Sequence, residues 1–381
     1  MNELLGKIDG SYDEMVAFLE KLVNIDSGID RPEGIKQVAE IIGAKLSKIG
    51  FTVEYLDYPG KTTHVIARKN GTGSKNVMII GHMDTVFPKG TAAERPFTIK
   101  DGKAYGPGVL DMKSGITIAL FALQALREQE WNEKNITVFF CGDEELGHPF
   151  SDAKDLFTKE AKDKDAVFNM ETGSDLGTVV VGRRGVAYPE ITVIGKSAHS
   201  GKDPEKGASA TLELAHKIVD LYKYNNAETG VAYNAGVISG GITANSIAGE
   251  AKVLSDFRFK KWEQFKQIKA ALDEVVKKVY VPNTKTTYTI NEARTFMPME
   301  MTEANLSLYE IVKKQGEKLG IQVEKIYVGA GSDSCWTSGV GAPTVCSMGA
   351  RGEMNHSEKE YMQLYSLTER AKLLALSIQS V

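Results

Sequence analysis

Short β-rich runs alternate with helical patterns through the first half of the chain, and this alternation restricts the fold more than any other feature. FTVEYLDY (51–58), THVIARK (63–69), NVMIIG (76–81), NITVFFCG (135–142), AVFNME (166–171) and GTVVVGRRG (177–185) read as strands. KSGITIALFALQALREQ (113–129) and the stretch around 35–48 read as helices between them. Apolar strands separated by helices require crossover connections, which predicts an α/β fold: a mixed, mostly parallel sheet covered by helices. The pattern changes near Gly185. From there to Arg294, VAYPEITVIG, ASATLELAHKIVDLYKY, GVAYNAGVISGG, GEAKVLSDFRF, WEQFKQIKAALDEVVKKV and TTYTINEA follow one another as strand, helix, strand, strand, helix and strand. That order is the ferredoxin-like β-α-β-β-α-β arrangement. A helix at 305–319, strands in IQVEKIYVG and APTVCSMGA, and a final helix from Ser366 then restore the first style. The expected organisation is a discontinuous α/β domain, 1–184 with 295–381, interrupted by an inserted domain, 185–294.

A formal charge of −4 gives no electrostatic reason to expect nucleic acid or an anionic membrane as partner. The opening segment lacks the basic and apolar regions of a signal peptide and reads as an amphipathic helix with Met15, Phe18, Leu19 and Leu22 on one stripe. No apolar run is expected to be long enough to span a bilayer. Cys141, Cys335 and Cys346 are scattered without a CxxC, so no disulfide framework is expected and a reduced, cytoplasmic setting fits.

Chemistry gathers where the strands end. NVMII runs straight into GHMDTVFP, and residues two apart on an extended segment share a face, so His82 and Asp84 point together past the strand's carboxyl end. In open α/β sheets that is where ligands bind. Asp111 sits on the glycine-rich turn YGPGVLD, Glu144 and Glu145 follow the strand ending at Gly142, and Glu171 follows FNM. His356 lies in NHSEKEY before the last helix. Singly, each has a bland explanation: a solvated loop, a helix cap or a packed histidine. Together they bring several anionic groups to one rim, which is unfavourable unless cations neutralise it. Two divalent ions would do so, with one bridging carboxylate and one carboxylate plus one histidine for each ion. Asp111, short and held on a rigid turn, is the best bridge. Asp84 is placed to hold the far ring nitrogen of His82, and one of the glutamate pair is left to act as general base.

GHMDTV, YGPGVLDMKSG, GDEELG, METG, GKSAHSG and NHSEKEY together resemble the co-catalytic metallopeptidase family of glutamate carboxypeptidase (carboxypeptidase G type), acetylornithine deacetylase, succinyl-diaminopimelate desuccinylase, aminoacylase-1 and tripeptidase T. The resemblance spans essentially the whole chain. It implies a metallo-exopeptidase catalytic domain with an inserted lid and dimerisation domain. It further implies that His82 and Glu171 hold one ion, Glu145 and His356 the other, and that Asp111 bridges, joined to Met112 by a cis peptide. Asp84 becomes the orienting carboxylate and Glu144 the general base. His199 of GKSAHSG steadies the oxyanion, commonly from the partner subunit. Asn245 and Arg258 grip the substrate carboxylate, with Arg294 as a more weakly anchored addition. In GAGSDSCW, Ser332 stands where the family usually has threonine.

The implied activity is hydrolysis of an amide or peptide bond by a metal-bound hydroxide. The expected enzyme is a carboxypeptidase releasing a C-terminal amino acid, with glutamate foremost, from a peptide or N-acyl donor. Zinc is the expected metal, with cobalt and manganese also suited to these ligands; a homodimer formed through the inserted domain is the expected assembly. The alternatives are an N-acyl-amino-acid deacylase, a di- or tripeptidase, and a catalytically silent protein that binds amino-acid conjugates. GPGVLD is a broken GxGxxG and does not point to a dinucleotide. Cys335 reads as a packing residue, and His64, His148 and His216 as structural or solvent-facing ones.

Overall fold

Val77, Met78, Ile79 and Ile80 of strand Asn76–His82 have no exposed surface, and the strand has parallel neighbours on both sides. Asn135–Cys141 is one neighbour and Ala166–Asn169 the other. A strand covered on both faces has no polar side, which is why these segments read as unbroken apolar runs. The computed structural model describes residues 1–292 and 294–381. Its main sheet is completed by Thr344–Val345 beyond Ala166–Asn169, and by Thr62–Lys69 and then Thr52–Tyr58 beyond Asn135–Cys141. The last two join antiparallel, so the six-stranded sheet is mixed with a parallel half.

Helix Ser114–Glu128 is buried along nearly its whole length, against Ser366–Ser380 and the N-terminal helices Asn2–Gly10 and Tyr12–Val23. This corrects one expectation. Val109–Glu128 does have the length and mean hydropathy, 1.4, of a membrane-crossing segment, but 94% of that window is buried inside the fold. Its apolarity is that of a core helix enclosed on all sides.

A second sheet was not anticipated. Thr98–Lys100, Lys103–Tyr105, Tyr361–Gln363, Arg351–Glu353 and Gly173–Ser174 pair in that order. All of these elements belong to a unit made of Met1–Gly182, Met301–Val328 and Ser332–Val381.

Arg183–Glu300 with Gly329–Gly331 forms the other unit. Pro189–Ile194 lies between Lys285–Ile290 and Glu250–Phe259, and Ala232–Gly240 pairs along the far side of Glu250–Phe259. With helices Ala210–Tyr222 and Trp262–Lys277 the order is β-α-β-β-α-β. Burial alternates along Glu250–Phe259 because helix Ala210–Tyr222 packs against the sheet there. The unit extends past 185–294 because Arg183 pairs with Met299, and its guanidinium donates to the carbonyls of Ala330 and Gly331.

Candidate metal centre

Three adjacent parallel strands deliver side chains to one edge. His82 ends the central strand opposite Cys141, so Glu144 and Glu145 follow one neighbour, and Glu171 follows the other just past Asn169. The small sheet brings in the rest. Lys103–Tyr105 leads into the turn carrying Asp111, Gly173–Ser174 follows Glu171, and Arg351–Glu353 and Tyr361–Gln363 bracket the loop that holds His356. Its register, Tyr361 against Tyr105 and Arg351 against Gly173, ties segments far apart in sequence to the same place.

His82 Nε2 lies 3.2 Å from Asp111 Oδ1 and 3.7 Å from Glu171 Oε1. His356 Nε2 lies 3.0 Å from Asp111 Oδ2 and 3.3 Å from Glu145 Oε2. Asp111 thus belongs to both of these ligand groups, in each of which the donor atoms lie within 4.8 Å of one another. The Asp111–Met112 peptide is cis, as the resemblance implied. Glu144, 9% exposed, stands beside these groups without belonging to either.

The electrostatics favour cations. Burial drives the Glu145 carboxyl up to about 7, with Asp111 adding to the shift, and it drives Glu144 well above the usual carboxylate range. Donating to the Asp111 and Glu145 carboxylates pushes the His356 imidazole up to about 11. Among the described residues, Glu145 Oε1 and Asp84 Oδ1 are buried oxygens without a hydrogen-bond partner. Burying a carboxylate oxygen with no donor is costly, so mixed imidazole and carboxylate donors with spare oxygens fit divalent ions.

Asp84 differs from the expectation in one detail. His82 Nδ1 meets the main-chain oxygen of Asp84 at 3.0 Å, while the carboxylate Oδ1 is 3.5 Å away. The other carboxylate oxygen accepts the Glu145 N–H at 2.9 Å. The carboxylate thus lies against the His82 ring with one oxygen and braces the Glu145 loop with the other.

His199, Asn245, Arg258 and Arg294 belong to the other unit. His199 and Asn245 are exposed neighbours: His199 bridges Ser246, and the Ser200 N–H donates to the Asn245 carbonyl at 3.0 Å. They lie past the Ile194–Glu250 end of the sheet, whereas Arg258 pairs with Val186 and Ala232 at the opposite end. Along the strand Glu250–Phe259, Arg258 lies about 26 Å from Glu250. Arg258 donates to both oxygens of Asp256, at 2.8 and 2.7 Å, and to the Gly329 carbonyl at 3.1 Å. Much of its fork is therefore already engaged, which the sequence reading did not foresee. Arg294 is exposed and stacks over Tyr188 at 5.3 Å.

Residues 78–380 match the sequence profile of peptidase family M20/M25/M40. The chain belongs to this family. It is a metallo-amidohydrolase, an enzyme of peptide or amide bonds. It is 29% identical to carboxypeptidase G2 of Pseudomonas sp. (strain RS-16) over 377 residues, covering 96% of this chain and 89% of that one. It is 30% identical to acetylornithine deacetylase of Erwinia tasmaniensis over 251 residues, 61% of this chain and 63% of the relative. In fold it is similar to the crystal structure of aminopeptidase PepT from Bacillus cereus, with a TM-score of 0.82 at 22% identity over 97% of this chain and 98% of that one.

In this M20/M25/M40 peptidase the sequence reading missed several partners. Asn355 donates to Asp111 Oδ2 at 3.2 Å, and Glu360 accepts from the backbone of the Asp111 turn. Behind Glu144, His148 joins Asp143 Oδ1 (3.0 Å) to Asp333 Oδ1 (2.6 Å), and Asp333 also accepts from the Cys141 thiol. Burial opposes a charge on His148, but Asp333 and Asp143 outweigh it and hold its pKa up to about 10. Replacing His148 with Leu strands two buried carboxylates. We expect a loss of about 3–5 kcal/mol in urea unfolding, and unchanged stability would show that the carboxylates do without the cation.

Proposed function

We propose that this enzyme is a dinuclear carboxypeptidase that releases a C-terminal amino acid, with glutamate foremost, from a peptide or N-acyl donor. The observation that carries the reading is the position of Asp111, common to a group with His82 and Glu171 and a group with Glu145 and His356. Zinc is the metal we assign, cobalt and manganese being the other ions these donors suit. Bound ions supply polarisation of the scissile carbonyl and acidification of water. The Glu144 carboxylate takes a proton from the attacking water as the C–O bond forms and the carbonyl oxygen becomes an oxyanion, then gives it to the leaving nitrogen as the oxyanion collapses and the C–N bond breaks. His199 donates to the oxyanion. Asp84 keeps His82 and the Glu145 loop in place.

Likeness to carboxypeptidase G2 along nearly the full chain supports the substrate class. The assembly we propose is a homodimer formed through the inserted unit. A substrate carboxylate bound by Arg258 has to compete with Asp256 and the Gly329 carbonyl for its guanidinium. Three buried thiols accord with a cytoplasmic enzyme.

Assay of the zinc-loaded protein against acyl-glutamates, N-acetyl amino acids, dipeptides and tripeptides tests this. We expect the highest kcat/KM for donors ending in glutamate. A preference for N-acetyl amino acids would replace this reading with the deacylase one, which the acetylornithine deacetylase match favours. A preference for tripeptides would replace it with a tripeptidase.

A further inference from the structure

The turn that carries Asp111 is held from behind by a carboxylate that takes no part in the hydrolysis. Glu360, 1% exposed, accepts the N–H groups of Leu110 at 2.8 Å and Asp111 at 2.9 Å on Oε1, and that of Gly108 at 3.3 Å on Oε2. Three amides converging on one point form an anion-binding concavity in the backbone. Gly106 and Gly108, with φ of 143° and 72°, give the turn a shape that residues with a Cβ resist. Glu360 also closes the loop that carries His356, since its own N–H donates to Ser357. Within that loop Met354 and His356 have left-handed φ of 66° and 61°, so the chain there does not relax into its shape unaided. The Glu360 side chain thereby fixes the backbone at Asp111, while its main chain sits at the far end of the His356 loop, so the one residue ties the two segments together.

We propose that Glu360 is a positioning residue that sets the affinity of the centre for its ions, by clamping the Asp111 turn to the His356 loop. The inference rests on the dinuclear reading of the site. Its physical basis is that a ligand whose main chain is held need not be ordered by the ion, so less of the binding free energy goes into ordering it. Glu360→Gln keeps the shape but removes the charge and turns an NH₂ group toward an amide that wants an acceptor. Glu360→Asp keeps the charge and shortens the reach.

Zinc affinity is read by competition with a chromophoric chelator, and the thermal midpoint is measured on metal-stripped protein. We expect E360Q to bind zinc about 10–100-fold more weakly than wild type, with a midpoint close to wild type when stripped, and E360D to fall between. E360Q with wild-type affinity but a lowered stripped midpoint would make Glu360 a brace of the fold only and overturn the proposal. If E360Q does not fold, wild-type affinity in E360D does the same. Wild-type protein that takes up no zinc would overturn the dinuclear reading itself and this inference with it, a result separate from the other two.

Discussion

Glu144→Ala is expected to lower kcat by about 10²–10⁴-fold while the protein goes on binding its ions. The side chain lies outside both ligand groups, yet it is buried beside them. Burial raises its pKa, His82 opposes the rise only in part, and the carboxylates of Glu171, Asp333 and Glu145 add to it. A carboxylate in such surroundings accepts a proton more readily than a free one, and with cations near enough to keep it ionised it is suited to shuttle that proton. Glu144→Gln, which keeps the shape without the basicity, should be as inactive as the alanine variant. Metal content by elemental analysis separates the two roles open to this residue. A kcat within ten-fold of wild type would remove Glu144 from the mechanism, and loss of an ion with the side chain would make it a ligand instead.

Sequence patterns disclosed what is written in long runs. The strands around His82, Cys141 and Asn169 are apolar throughout because they are covered on both faces, and His82, Glu145 and Glu171 each stand at the end of such a run or a few residues past it. The small sheet was invisible for the opposite reason. Strands of two or three residues, such as Gly173–Ser174 and Arg351–Glu353, are too short to show a period. Their pairing is a tertiary fact, and Glu360 went unnoticed with them because its partners are backbone amides, which carry no residue identity. His148 was read as structural or solvent-facing because its second partner, Asp333, is 185 residues away. The pairing of Arg258 was more accessible. SDFRF puts Asp256 and Arg258 two apart on a strand, hence on one face, and an acid so placed competes with any substrate for the arginine fork. Val109–Glu128 shows the limit of hydropathy alone, since an enclosed core helix and a lipid-facing one have the same composition.

Asp111→Asn should weaken both ions together, and by more than the roughly 100-fold that loss of an outer partner costs. The two oxygens of Asp111 face different histidines, Oδ1 toward His82 and Oδ2 toward His356. An amide of the same shape offers one oxygen, carries no charge, and turns its NH₂ toward whichever ion sits on that side. A shared carboxylate would also lie between two like-charged ions, and without it their repulsion across a partly buried site would be less well offset. Single-ligand variants provide the contrast. Glu171→Ala removes a donor from the His82 group alone, and His356→Ala from the Glu145 group alone, so each should loosen one ion and leave the other near wild-type affinity. Stepwise chelation with elemental analysis at each step distinguishes the patterns. Asp111→Asn that sheds a single ion, or that keeps wild-type affinity for both, would mean that the groups are separate sites and that no carboxylate bridges them. Loss of both ions at one chelator concentration, against one ion in each single-ligand variant, is what a bridge requires.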